Sequence, residues 1–152
     1  MRVPVSIVAA ALAASPAAHA AEFAVPVLLE SPPCAVERLR SVSVELGQKV
    51  NESTQDTRVP TVRLAAALEQ LARAAQQEGA NAVVLRSRQG VYFTRNGRQS
   101  TAPVYIRLQG GAVRLPEDTA ACRLVHVDAD AMEREMRGRR PSQATARNAY
   151  GD

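Results

Sequence analysis

Val59-Pro60-Thr61-Val62-Arg63-Leu64-Ala65-Ala66-Ala67-Leu68-Glu69-Gln70-Leu71-Ala72-Arg73-Ala74-Ala75-Gln76-Gln77-Glu78-Gly79-Ala80-Asn81-Ala82-Val83-Val84-Leu85 carries two apolar patterns in succession, one of helical and one of strand type. Leu64, Leu68, Leu71 and Ala75 recur at intervals of 4, 3 and 4, which places them on one stripe of a helix. Arg63, Gln70, Arg73 and Gln77 fall on the opposite, wet side. Pro60 suits a first helical turn and Gly79 a C-terminal cap, so the spacing predicts a helix from Pro60 to Glu78. A Leu/Ala stripe can be laid into a partner's groove, but at this spacing it is far more often the seam against a sheet. Ala82 to Leu85 is apolar on both faces, as in a central strand, before the chain turns polar at Arg86-Ser87-Arg88.

Upstream, Val42, Val44 and Leu46 alternate with Ser41, Ser43 and Glu45, which predicts a half-buried strand over Leu39 to Leu46 that Gly47 ends. Val25 to Leu29 reads as a short preceding strand, set apart by Ser31-Pro32-Pro33 because two prolines cannot continue a ladder. Gln48 to Arg58 is polar and aperiodic, hence a loop. Downstream, Gly90 marks a bulge, Val91 to Thr94 resumes the strand, and Asn96-Gly97 is the preferred pair for a two-residue hairpin turn. Val104 to Leu108 returns, with Pro103 arguing for an edge or irregularity at its start, and Gly110-Gly111 bends the chain into a last extended piece, Ala112 to Leu115. Strand, helix, strand, strand is an α+β pattern: a small, mostly antiparallel sheet with one main helix packed on one face. Cys122 to Val127 reads as a short strand or a disulfide-held segment. Asp128 would cap a short helix through Met136, and the chain from Arg137 lacks apolar residues to order it and reads as a basic tail.

The amino terminus carries Arg2, an apolar run from Val3 to Ala14, Pro16 and the triplet Ala18-His19-Ala20. That order is the pattern of a secretory signal peptide cleaved after Ala20. The core of about a dozen residues is too short for the roughly 20 that span a bilayer, so no transmembrane anchor is expected. Ala21 stands where a lipoprotein would carry its cysteine, and the periplasm, with peripheral contact to the outer membrane as an option, is the expected location. Residues 1-20 are then the signal, 21-127 one domain, and 128-152 the short helix and tail. Past the signal, 18 bases face 15 acids, a net of +3, and one domain is all that length allows. No basic cluster is interleaved with aromatics, so no nucleic-acid partner is expected.

The two cysteines flank the body of the domain, and an oxidising compartment would join Cys34 to Cys122. Closing a loop of roughly 90 residues is worth about 4 to 5 kcal/mol in the chain-entropy account. A redox-active or metal-binding pair is the alternative, but there is no C-x-x-C, and His126 is the only histidine past the signal. No G-x-S-x-G elbow, H-E-x-x-H helix or phosphate-binding loop occurs. Glu45, Glu69 and Glu78 fall on solvated positions, so no catalytic residue, cofactor or metal ligand is assigned. Arg86 and Arg88 share strand parity and hence one face, a possible surface for phosphates or for a partner's carboxylates; the plainer reading is a solubilising sheet face.

Val59-Pro60-Thr61 through Leu71, Glu78-Gly79-Ala80-Asn81-Ala82-Val83-Val84-Leu85 and Ala102-Pro103-Val104-Tyr105-Ile106 resemble RcsF-type outer-membrane sensor lipoproteins and YbjQ-type small domains, over roughly residues 57 to 115. The strand, helix and hairpin layout is also similar to YhcN-type periplasmic stress proteins. The RcsF pattern carries a lipidated cysteine and four more forming two bridges. Arg86-Ser87-Arg88 and Tyr105 stand in two of those regions here, so lipid sorting and partner recognition do not carry over. The resemblance implies the fold and a non-enzymatic, periplasmic binding or stress-sensing role, with an envelope protein or an anionic envelope component as partner. The alternative it implies is a structural domain that assembles as an oligomer, since the sequence leaves the oligomeric state open.

Overall fold

The computed structural model describes residues 23-49, 59-95, 98-120 and 122-138. The expected signal at residues 1-20, most of the loop expected over Gln48 to Arg58, the hairpin turn expected at Asn96-Gly97 and the basic tail expected from Arg137, beyond Gly138, lie outside the described residues. Among the described residues, six strands and two helices run in the order β1 (Val27–Leu28), β2 (Glu37–Gly47), α1 (Leu64–Gln77), β3 (Ala82–Val91), β4 (Thr94–Arg95), β5 (Arg98–Gln99), β6 (Tyr105–Arg114) and α2 (Ala129–Gly138). The class is α+β. The main sheet is mixed, ordered β1-β3-β6-β2: β1 runs parallel to β3, and β6 lies antiparallel to both β3 and β2. β4 and β5 form a separate two-stranded antiparallel ribbon, with Thr94↔Gln99 and Arg95↔Arg98 as its pairs.

The predicted stripe is the buried one. Leu64, Leu68, Leu71 and Ala75 are fully buried, joined by Ala67 and Ala72, and they share one core cluster with Val42, Val83, Leu85, Ile106, Leu108 and Ala112 of the sheet. At about 1.5 to 3 kcal/mol per fully buried aliphatic side chain, this cluster is the main source of stability. The helix ends as its glycine predicts. Gly79 has φ +78, its N–H donates to the Gln76 carbonyl at 2.9 Å, and the Ala80 N–H donates to the Ala75 carbonyl at 3.1 Å, a Schellman closure. The start differs: α1 begins at Leu64, not Pro60. The Val62 N–H donates to the Pro103 carbonyl at 2.8 Å and Arg63 is extended (φ -102, ψ 138), so a tertiary hydrogen bond holds this segment straight past the proline.

Gly110-Gly111 does not bend the chain. β6 runs unbroken through both glycines, and the irregularities sit in its neighbours: β2 carries one extra residue between Arg38 and Ser41, and β3 one between Leu85 and Ser87. A Cβ on Gly110 would stand 2.7 Å from Val83 Cγ2, 3.0 Å from the Val84 carbonyl oxygen and 3.5 Å from Leu71 Cδ2. The glycine therefore lets strand and helix close on each other, and the flanking bulges add the local twist. Gly90 is likewise no bulge, since it pairs in register with Ile106. Its missing side chain makes room for Met136 of α2, whose Cε lies 2.5 Å from where a Cβ would be.

A second, smaller cluster lies on the other side of the sheet. Leu28, Ala82, Val84, Val113 and Leu115 pack there against Val36 and Leu124. Cys34 and Cys122 are disulfide-bonded, with Cα atoms 5.1 Å apart and a sequence separation of 88. The bridge keeps the two covering segments in place. Beside it the Leu29 N–H donates to the Val125 carbonyl (2.8 Å), the Val127 N–H donates to the Val27 carbonyl (2.9 Å), and Leu28 bridges His126, so the post-cysteine segment closes the β1 edge. Asn81 brackets the Leu115 backbone, accepting from its N–H at 2.6 Å and donating to its carbonyl at 3.1 Å. Asp128 caps α2 as predicted, its Oδ1 accepting from the Ala131 N–H at 2.9 Å.

Candidate functional site

Strand alternation sorts β6 into two rows. Ile106 and Leu108 belong to the α1-side core, so Tyr105, Arg107, Gln109 and Gly111 face the other way. Register adds Glu45 beside Arg107, Ser43 and Ser87 beside Gln109, Ser41 beside Gly111, and Gln89 beside Arg107. Ser41, Ser43, Glu45, Ser87 and Arg107 are exposed and Gln89 and Gln109 half-buried. This is an open polar sheet face, next to the small apolar cluster that the disulfide-held segments cover.

Arg86 lies on it. As the extra residue of the β3 bulge it escapes the strict alternation. Its guanidinium rests over Gly111, with Nη2, Nε and Cζ 3.0, 3.1 and 3.2 Å from the position a Gly111 Cβ would take. No carboxylate among the described residues is within ion-pair distance of Arg86. Arg88 is elsewhere. It pairs with Leu108 on the α1 side, and its Nη2 meets Glu135 of α2 at 2.6 Å. The shared face expected for Arg86 and Arg88 is therefore lost, because Arg86 is itself the inserted residue and the regular alternation resumes at Ser87 and Arg88. Arg88 instead ties α2 to the sheet.

At the far end of the same face, Tyr105, Glu45, Lys49 and Arg107 form a polar knot. Lys49 Nζ is 3.5 Å from Glu45 Oε2 and 5.4 Å from the Tyr105 ring centroid, and Arg107 Nε is 3.7 Å from Glu45 Oε1. The Tyr105 hydroxyl's hydrogen bond holds the Glu45 carboxyl below the usual glutamate range, with Lys49 and Arg107 adding to the effect and partial burial opposing it. Burial in turn pushes the Tyr105 hydroxyl up, helped by Glu45. Among the described residues, Arg86, Arg107 and Lys49 thus share the open face with the carboxylate of Glu45, and Arg86 stands apart from it. Ser87 and Gln109 are hydrogen-bonded to each other at 3.0 Å and offer amide and hydroxyl groups beside it.

Chemically the face suits recognition of oxygen anions: a guanidinium forks onto phosphate or carboxylate, and neighbouring amides complete the shell. Among the described residues no group of three or more His, Cys, Asp and Glu side chains converges as a metal site would. No helix among them is long and apolar enough to cross a membrane. The sequence pointed to Arg86 and Arg88, of which Arg86 alone lies on this face, and it did not single out Arg107, Gln109, Ser87 or the Tyr105 knot. Their signal was the alternation in Tyr105-Ile106-Arg107-Leu108-Gln109, apolar at even and polar at odd positions. No family model matches the chain, and neither curated proteins nor solved structures yield a significant match.

Proposed function

We propose that this chain is a non-enzymatic binding module of the bacterial envelope, exported to the periplasm by its amino-terminal signal and acting as a stress-sensing or docking domain of the RcsF-like kind. In this reading a largely antiparallel sheet, backed by α1, presents its open face to phosphates of an envelope component or to carboxylates of a partner protein. The observation that carries the reading is Arg86, laid flat over Gly111 and left without an acidic partner among the described residues. The disulfide supports export, since such bonds persist in oxidising compartments. A photo-crosslinking residue placed at Gln109 and, as control, at exposed Gln70 of α1 tests the reading in intact envelopes. Adducts from position 109 and none from 70 are expected, and equal labelling would defeat it. Whether the adduct is lipid or polypeptide distinguishes the two sources of anion.

A second reading, an assembly domain, draws on β2. This strand of 11 residues forms the outer edge of the sheet and has no strand beyond it among the described residues, and such edges invite pairing with another copy. Light scattering over a concentration series decides: a constant monomer mass rejects it.

A further inference from the structure

Past the initiator, the chain has two methionines, Met132 and Met136, and both lie on the inner side of α2, one turn apart. Met132 is the one fully buried residue of that helix, 5% exposed, while Met136 is half-buried and its terminal methyl enters the notch left by Gly90. Beneath the same helix lies a polar defect. Tyr92 is 6% exposed and its hydroxyl is buried with no hydrogen-bond partner among the described residues, flanked by the charges of Glu133 and Arg137 from α2. An unsatisfied buried hydroxyl is a standing penalty that is relieved when water reaches it. α2 is therefore held by two thioethers, the Arg88 to Glu135 pair and the Asp128 cap, over a group that gains by being uncovered.

We infer that the Met136 and Met132 thioethers are a modification site for two-electron oxidants, hydrogen peroxide in the simplest case, and that their conversion to sulfoxides releases α2 from the sheet. The sulfur lone pair attacks one peroxide oxygen, an S–O bond forms as the O–O bond breaks, the sulfur is oxidised by two electrons and the peroxide reduced, and the departing oxygen takes the proton of the oxygen that sulfur keeps and leaves as water. Half-exposed Met136 reacts first. Its new S–O group adds volume and a dipole to the closely filled notch at Gly90, beside the Tyr92 ring, which favours the open helix and hands Met132 to the oxidant. Opening wets Tyr92 and frees Arg88. The site is independent of the open sheet face, so its failure and that of the proposed anion binding are separately visible.

The full mature, disulfide-bonded protein is treated with hydrogen peroxide, and mass spectrometry follows sulfoxide at each methionine while hydrogen exchange follows Ala129–Gly138. Sulfoxide at Met136 before Met132 is expected. So is opening of α2 at least about tenfold more frequent, equivalent to about 1.4 kcal/mol, with α1 protection unchanged. The Tyr92 hydroxyl, raised by burial when α2 is closed, falls back toward the ordinary tyrosine range in an absorbance titration. Methionine sulfoxide reductase restores the closed form. Met132→Leu/Met136→Leu, with Met136→Leu alone as a second variant, stays closed under the same treatment. The inference is overturned if both sulfoxides form with α2 protection unchanged, if a methionine peptide in the same tube oxidises while the protein does not, or if peroxide opens the leucine variants equally.

Discussion

Removing the disulfide with Cys34→Ala/Cys122→Ala exposes how much of the fold depends on it. In the chain-entropy account a closed loop of 88 residues removes about 15 cal/mol/K from the unfolded ensemble, or about 4.6 kcal/mol at 25 °C. Small domains have a total of about 5 to 15 kcal/mol, so the variant should lose from a third to most of its stability. The loss has a location as well as a size. The bridge holds Val36 and Leu124 over Leu28, Ala82, Val84, Val113 and Leu115, whereas the α1 seam contains neither cysteine. Urea denaturation of the two proteins gives the first quantity; hydrogen exchange gives the second. Exchange should rise first at the Leu29 and Val127 amides, which bond across the stapled segments, and last in α1. A stability loss below about 1 kcal/mol, far under the 2 to 5 kcal/mol usual for native bridges, would refute the staple argument. So would exchange rising uniformly.

Other outcomes follow from single contacts. Gly47→Ala is strongly destabilising, because Gly47 has φ +97 and an added Cβ would overlap the Val104 carbonyl oxygen, whereas Gly138→Ala, with nothing within 4 Å, leaves the urea midpoint near wild type. Leu71→Ala, at a fully buried α1 position, costs about 2 to 5 kcal/mol by chemical denaturation. Asp128→Ala removes the α2 cap and costs about 1 kcal/mol, seen as faster exchange confined to α2. Tyr105→Phe raises the Glu45 titration measured by NMR, since the hydroxyl is the largest cause of its depression. The depressed carboxyl contributes stability that is present above the ordinary glutamate range and lost as pH falls through its lower folded value, so the variant differs from wild type near neutrality and converges with it in strong acid.

The α1 stripe and its glycine cap were readable because they depend on local spacing and on one backbone conformation that glycine serves. Other features depended on distant partners. Pro60 looks like a helix start until the Pro103 carbonyl takes the Val62 N–H. Gly90 and Gly110 announce an exception without saying which kind, and only the approach of Met136, Val83 and Leu71 shows that each is a space rather than a bend. The bulge at Arg86 left no composition signal at all. It moved Arg86 and Arg88 to opposite faces, and that single inserted residue separates a binding candidate from a structural ion pair. The disulfide was legible from cysteine count and compartment logic, but the small cluster it covers was not.

Equilibrium binding to lipopolysaccharide and to vesicles containing anionic lipid, compared for wild type, Arg86→Ala and Arg88→Ala, tests the open-face account most directly. Loss of a charge-assisted contact worth about 1.5 to 3 kcal/mol predicts that Arg86→Ala binds about ten- to hundredfold more weakly, while Arg88→Ala, whose guanidinium is engaged with α2, binds as wild type does. Binding that survives Arg86→Ala, or that falls equally in both variants, contradicts it.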